Sequence, residues 1–355
     1  MLPAKFGGQQ TIAAFNNELG KHVDLICLCS SDNIPEGNES YKIIPELPVS
    51  KWQFINPLTW KKIVAIARKE QITHIIIEHP YHAIAGWLCK KQLGCKIIHY
   101  SHNIEYRRFK QLSKWYWNIV KKEEFWLSRF ADLNICVTKE DEEVLVNEAN
   151  ISRDKIFYLP HTISNKNISG KTEARRLIAH RHGLDLNRPL LLFNGTLDYE
   201  PNYEAVMDIC KLVPVLKSQL EKFTILITGR CKTVEINIPA EISEYVKYAG
   251  EVADVGNYFL AADIYINPVK KGEGVQTKTL EALSYHLNVV CYQHMLRGII
   301  VYLVKDRLFI AGNSTEFITC IVESLKTQGP TSNAFFSFYS YEHHFPLFLN
   351  KLKQL

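Results

Sequence analysis

Leu260-Ala-Ala-Asp-Ile-Tyr-Ile-Asn-Pro268 leads into Gly272-Glu-Gly-Val-Gln-Thr-Lys-Thr-Leu-Glu-Ala-Leu283 and then Asn288-Val-Val-Cys291, a succession of strand, glycine-rich loop, helix and strand. A buried parallel strand shows as a short, nearly unbroken apolar run, because helices cover both of its faces. Asp263 to Asn267 and Asn288 to Cys291 have that character. A glycine loop opening onto a helix gathers unpaired backbone N–H groups and the positive end of the helix dipole at one point, which makes a phosphate cradle. Lys278 adds a full positive charge there, a poor choice for a first helical turn unless an anion is bound. Glu281 falls about one turn further along, where a carboxylate accepts two ribose hydroxyls, and Glu273 sits in the loop itself. Seven residues separate the two carboxylates.

The same alternation extends in both directions. Val23 to Cys29, Ile72 to Ile77, Lys96 to Tyr100, Leu133 to Val137 and Ile156 to Leu159 are strand-like, with helical periods near 56–70, 82–93, 105–130 and 139–148. Ser164 to Thr172 is polar and has linker composition. The pattern then restarts with Leu190 to Phe193, Phe223 to Thr228 and Val246 to Tyr248, and ends with Leu308 to Ile310. The expected fold is α/β, with two doubly wound parallel-sheet domains over residues 1–164 and 165–335. A helical segment over 336–355, broken near Pro346, is expected to cross back to the first domain. The chain opens on a loop and a helix from about Gln9 to Leu19, so the first strand of the N-terminal domain is expected to be missing.

With 355 residues, 46% hydrophobic and 22% charged, the composition is that of an ordinary globular protein and excludes disorder and fibrous repeats. The net charge of +5 is modest and no long basic block occurs, which argues against nucleic acid as a partner. Nine cysteines, an odd number with no Cys-x-x-Cys, read as reduced thiols of a cytoplasmic protein and not as a zinc site or disulfide framework. No apolar run reaches membrane-spanning length. Trp115 to Arg129 carries aromatic and basic residues at helical spacing, as an interfacial helix does. Glu123 and Glu124 favour the alternative, a core-facing helix with a solvated charged face.

Glu273 and Glu281, with Lys278 between them, resemble the donor-binding signature of retaining glycosyltransferases of the GT-B fold, the family-4 or group 1 type. Phe193-Asn-Gly-Thr-Leu-Asp-Tyr-Glu-Pro-Asn202 is similar to the opening strand and turn of that family's C-terminal domain. Thr228-Gly-Arg230, Tyr248-Ala-Gly-Glu-Val-Ala-Asp254, Leu260 to Pro268 and Leu296-Arg-Gly-Ile299 match further pieces in the family's order. In the N-terminal half, Phe6-Gly-Gly-Gln9 resembles the glycine loop facing the donor phosphates, and His102-Asn-Ile-Glu-Tyr-Arg107 resembles the His-Asn-x-Glu segment.

The resemblance implies two Rossmann-like domains facing across a cleft, a nucleoside diphosphate sugar held mainly by the second and a glycan or lipid-linked acceptor mainly by the first. It implies His102 and Glu273 as catalytic contacts to the transferred sugar. Gly7, Gly8, Gly195, Thr196, Arg230, Val252, Gly274, Lys278 and Glu281 are implied around the nucleotide and its phosphates. No carboxylate–metal motif is present, so the implied enzyme uses no metal or other cofactor; the donor is a substrate. The implied setting is the cytoplasm or the inner face of the membrane. Many relatives neutralise the diphosphate with an Arg and a Lys where this chain has Thr196 and Asn202. That departure and the missing first strand keep open a catalytically weak GT-B partner subunit, and a nucleotide-sugar epimerase on the same fold, binding the same donor, is a second alternative.

Overall fold

The computed structural model describes residues 2–3, 7–272 and 274–355. The chain divides into two compact units, Met1–Val137 with Asp141–His161 and Leu355, and Thr138–Glu140 with Thr162–Gln354. Up to His161 the elements are α1 (Gly7–Gly20), β1 (Ile26–Ser30), β2 (Lys42–Leu47), α2 (Pro57–Lys69), β3 (His74–Ile77), α3 (Ala83–Leu93), β4 (Lys96–Ser101), α4 (Glu105–Gln111), α5 (Trp117–Phe130), β5 (Leu133–Cys136), α6 (Lys139–Asn147) and β6 (Ile156–Tyr158). Among the described residues no strand precedes α1. β3 to β6 pair in chain order as a parallel sheet, and β1 and β2 form a separate parallel pair.

From Thr162 onward come α7 (Lys171–His182), β7 (Leu190–Asn194), α8 (Glu200–Gln219), β8 (Thr224–Thr228), β9 (Val246–Gly250), α9 (Gly256–Ala261), β10 (Ile264–Asn267), α10 (Thr277–Ser284), β11 (Asn288–Tyr292), β12 (Leu308–Ala311), α11 (Ser314–Ser324), α12 (Asn333–Phe338) and α13 (Tyr341–Lys353). The six strands are all parallel, in the order β9-β8-β7-β10-β11-β12. Leu190 to Phe193, Ile225 to Ile227 and Val289 to Cys291 are buried throughout, which is why these strands read as unbroken apolar runs. This is the doubly wound order whose direction reverses between its two central strands. Ligands of such sheets bind beyond the carboxyl ends at that reversal, here between β7 and β10.

Three local features differ from the sequence reading. The single helix expected over 105–130 is two, α4 and α5, parted by a turn in which Ser113 takes φ 50°. Glu124, expected on a solvated face, is fully buried and accepts the backbone N–H groups of Glu105 at 2.9 Å and Tyr106 at 3.1 Å. It satisfies two otherwise unpaired donors at the start of α4, while burial pushes its carboxyl up to about 8. The helix expected to break near Pro346 continues through it. Proline removes the N–H that would bond the Glu342 carbonyl, but Glu342 and Pro346 are both exposed, so solvent meets that oxygen. The buried His344, Phe345 and Phe348 hold the opposite face of α13 in place. All nine cysteines are free.

Candidate functional site

At the reversal point three loops are laced by backbone hydrogen bonds. Gly195, just past β7, donates its N–H to the Thr228 carbonyl at 3.0 Å, and Leu197 donates to the Arg230 carbonyl at 2.8 Å. Gly229 donates to the Gly250 carbonyl at 2.8 Å and accepts the Tyr248 hydroxyl at 2.8 Å. Gly229 is glycine by necessity: at φ 140° a Cβ there would lie 1.7 Å from the Gly195 carbonyl oxygen. The ends of β7 and β8 therefore approach one another more closely than side chains permit.

Lys278, the second residue of α10, reaches over this floor. A Cβ on Gly195 would meet the Lys278 Nζ at 2.9 Å and the Asn202 amide at the same distance. The first turn of α10 contains no acidic residue and Gln276 provides no side-chain cap, so among the described residues no negative group compensates the dipole's positive end. Lys278 has no ion-pair partner among the described residues. Burial draws its ammonium down to about 8, with Glu281 acting in the opposite direction. A cation held next to uncapped N–H groups and partly withdrawn from water is arranged to receive an anion.

Glu281 lies on the same helix, half-buried. Burial raises its pKa; Lys166 and Lys278 lower it and Asp254 raises it. Its surroundings are aromatic. Tyr265, fully buried, donates its hydroxyl to Asn194 Oδ1 at 3.0 Å and is raised by burial and then by the Glu281 charge. Tyr285 stacks on Phe259 with centroids 5.5 Å apart and planes 10° from parallel.

The residues singled out in the sequence fall as follows. Gly195, Lys278 and Glu281 come together with Thr196, whose carbonyl accepts the Asn202 Nδ2 at 2.8 Å. The position at which relatives carry a cation therefore holds a brace for the loop backbone. Arg230 is tied to Asp198, Nε to Oδ2 at 3.4 Å, so its charge is partly engaged. Asp198 in turn accepts the N–H groups of Lys232 and Thr233, which lower its pKa. Val252 packs half-buried on the unit's apolar core beyond β9. Gly274 is buried with φ 86°, and Gly272 has φ 149°. Glu273 and Phe6 lie outside the described residues. Gly7 and Gly8 open α1, in the other unit. His102 follows β4 in that unit and packs on Tyr100 with ring centroids 4.2 Å apart. Burial, reinforced by His79, His161 and His99, holds its imidazole well below the usual range and hence neutral.

Asn194, Asp254 and Tyr265 were not singled out from sequence, and Asn202 only as a position where many relatives carry a cation. Single polar residues beside strand ends carry no pattern. Only the strand order brings them to one place.

The chain matches the family description "Glycosyltransferase Family 4" over residues 7–165 and "Glycosyl transferases group 1" over residues 188–327. Among solved structures it resembles the sucrose-phosphate synthase of Thermosynechococcus elongatus, with 16% identity and TM-score 0.75, over 98% of this chain and 93% of that one. It also resembles Anabaena Alr3699/HepE in complex with UDP and glucose, with 15% identity and TM-score 0.72, over 99% and 97%. A glycosyltransferase from Rickettsia africae shows 15% identity and TM-score 0.71, over 97% and 93%. No curated protein matches the sequence. The family models and the fold define a GT-B glycosyltransferase. The chain belongs to the family-4, group 1 glycosyltransferases.

Proposed function

We propose that this chain transfers a sugar from a nucleoside diphosphate sugar to a glycan or glycolipid acceptor, with retention of anomeric configuration and without a metal ion. The observation that carries the reading is the Lys278 ammonium, half-buried over the Gly195 backbone at the reversal of the sheet and without an ion-pair partner among the described residues. A departing diphosphate needs positive charge positioned where its own charge develops, and a preorganised cation with helix N–H groups supplies that. Glu281 accepts the ribose hydroxyls through charge-assisted bonds, and Gly7, Gly8 and Gly274 add backbone donors around the phosphates. His102 and Glu273 contact the sugar in this reading. The leaving phosphate oxygen takes the acceptor's proton on the same face, so no separate protein base is required.

The binding step is testable by thermal shift against a panel of nucleoside diphosphates and their sugars, UDP-glucose among them, since Anabaena HepE was solved in complex with it. Selective stabilisation by one nucleotide is expected, reduced in Glu281→Ala by a factor of roughly 10 to 100 in affinity. No stabilisation by any nucleotide would favour the partner-subunit alternative. Nucleotide binding followed by sugar isomerisation without acceptor would favour the epimerase.

Lys278 also fixes a pH dependence. Its pKa in the free protein is lowered to about 8, and a bound diphosphate raises it again. Above the free value, binding must therefore take up a proton, and affinity falls by up to about tenfold per pH unit. Below it the profile is flat, because a diphosphate diester keeps its charge. Calorimetry across pH 7 to 10 checks this, and a profile without the bend contradicts the assignment.

The peripheral membrane contact is placed, in this reading, on residues 49–69. Val49, Trp52, Ile55 and Leu58 are 58%, 73%, 60% and 71% exposed. Lys51, Lys61, Lys62, Arg68 and Lys69 accompany them without a single acidic residue. Trp115 and Ile119 are exposed as well, but α5 turns Val120, Phe125 and Leu127 inward. Sedimentation with phosphatidylglycerol vesicles is expected to carry the protein down, and Trp52→Ser with Leu58→Ser to release it. Equal recovery of both proteins in the supernatant would refute the placement.

A further inference from the structure

β1 carries two cysteines two residues apart, Cys27-Leu28-Cys29. Side chains along a strand alternate between faces, so both thiols stand on the same face. They are close enough for the Cys27 thiol to hydrogen-bond the Cys29 sulfur, and both are half-buried, within reach of a small reagent. That bond favours the Cys29 thiolate and lowers its pKa, while burial and Asp32 oppose the shift. The same bond, with burial, raises Cys27. Cys89 and Cys95 also feel one another, but both are fully buried and raised by burial. Thiols of that kind are inert, whereas an accessible thiol with a lowered pKa is the nucleophile.

We propose that Cys27 and Cys29 are a dithiol site that closes reversibly to a disulfide, and that closure loosens the chain leading into α1. The disulfide stands without the glycosyltransferase reading; only its consequence for the donor, through Gly7 and Gly8, rests on that reading. At about 3.3 Å per residue, strand positions two apart lie about 6.6 Å between Cα atoms. A disulfide spans roughly 4.4 to 6.8 Å, so a small contraction of β1 closes the pair. β1 is free to contract: among the described residues it pairs with β2 alone, and the register already shifts between Cys29 and Ser30.

With glutathione disulfide as the oxidant, the Cys29 thiolate attacks one of its sulfurs, releasing one glutathione and leaving a mixed disulfide. Cys27 then gives up its proton to solvent, and its sulfur displaces the second glutathione from Cys29. The sulfur–sulfur bond of the oxidant is broken and the Cys27–Cys29 bond is formed, while two electrons and two protons pass to the two departing glutathiones. Ser30 follows Cys29 directly. Its carbonyl and hydroxyl accept the Asn33 amide at 2.9 and 3.0 Å. Asn33 Oδ1 accepts the Leu2 N–H at 2.6 Å, and Ile34 donates to the Leu2 carbonyl at 3.1 Å. A contraction at Cys29 therefore draws on Leu2, five residues ahead of Gly7.

The test uses the full chain, reduced and then equilibrated in glutathione buffers of rising disulfide content, quenched with acid, alkylated and cut with trypsin. Trypsin releases residues 22–42, which hold Cys27 and Cys29 and no other cysteine. The expected result is a peptide lighter by two hydrogens that takes no alkyl group and reverts with dithiothreitol. Cys27→Ser should stop at a glutathione adduct on Cys29. In the reduced protein near neutral pH, Cys29 should be alkylated about tenfold faster than the half-buried Cys231 and Cys320. If the variant misfolds, the wild-type peptide masses decide the matter. Two alkylated thiols at every buffer ratio, or a disulfide from either cysteine to a different one, would overturn the inference. Thermal shift with nucleotide sugars on reduced and oxidised samples separates the two readings. Donor binding weaker by about tenfold after oxidation, with no such loss in Cys29→Ser, supports the proposal; equal binding by the two forms refutes the link to α1. If the disulfide forms and no nucleotide binds either form, the site stands and the transferase reading fails.

Discussion

Lys278→Met is expected to leave the protein folded and to lower sugar transfer at saturating donor by about a hundredfold or more, the usual consequence of removing one preorganised donor from a developing negative charge. The ammonium makes no ion pair in the free protein among the described residues, and burial already disfavours its charged form. Removing it therefore takes away no native salt bridge, and the melting temperature should hold steady or rise. The decline in donor affinity above about pH 8 should vanish in the same variant, because the titrating group is gone. Steady-state kinetics, thermal unfolding and calorimetry on one preparation give all three results. Full activity in Lys278→Met would detach this lysine from the chemistry.

Gly229→Ala is expected to be the most damaging single-methyl change in the second unit. The new Cβ would fall 1.7 Å from the Gly195 carbonyl oxygen and 2.7 Å from its carbon, both backbone atoms that cannot rotate away. The backbone at φ 140° is itself unfavourable for alanine. A loss of about 3 kcal/mol or more is expected from strain and displacement together, seen as a lower denaturant midpoint. Molecules that do fold should bind nucleotide poorly, because the β7 loop that must yield is the floor beneath Lys278. A variant with wild-type stability and affinity would show that the two strand ends are not in contact.

These two positions also show what the sequence discloses. Eleven of the strands stand out as apolar runs because parallel strands are covered on both faces, and their ends fall within a few residues of the observed ones. β2 was passed over. It contains Pro45, which normally argues against a strand, but β2 pairs only with β1 and lies at the edge, where a missing N–H is tolerated. Glu124 reads as a surface charge on a helical wheel. Its burial depends on α4 starting against α5, a tertiary fact with no local signal.

The site divides along the same line. Gly195, Lys278 and Glu281 are legible because a glycine loop, a cation and a carboxylate at helical spacing have a shared meaning in phosphate and ribose binding. The pairing of Arg230 with Asp198, and the support of the Thr196 backbone by Asn202, are contacts between loops. The first follows from the pairing of β7 with β8, which sets the loops after them side by side, and the second is a return from the first turn of α8 to the loop after β7.

The most direct test of the account is a time course of nucleoside diphosphate release from a panel of nucleotide sugars, with the anomeric signal of the product followed by proton NMR and Glu281→Ala and Lys278→Met run alongside. The account predicts release from one donor, a product with the donor's anomeric configuration, and loss of both in the two variants. Undiminished release in both variants, or no turnover and no binding by the folded wild-type protein, would contradict it.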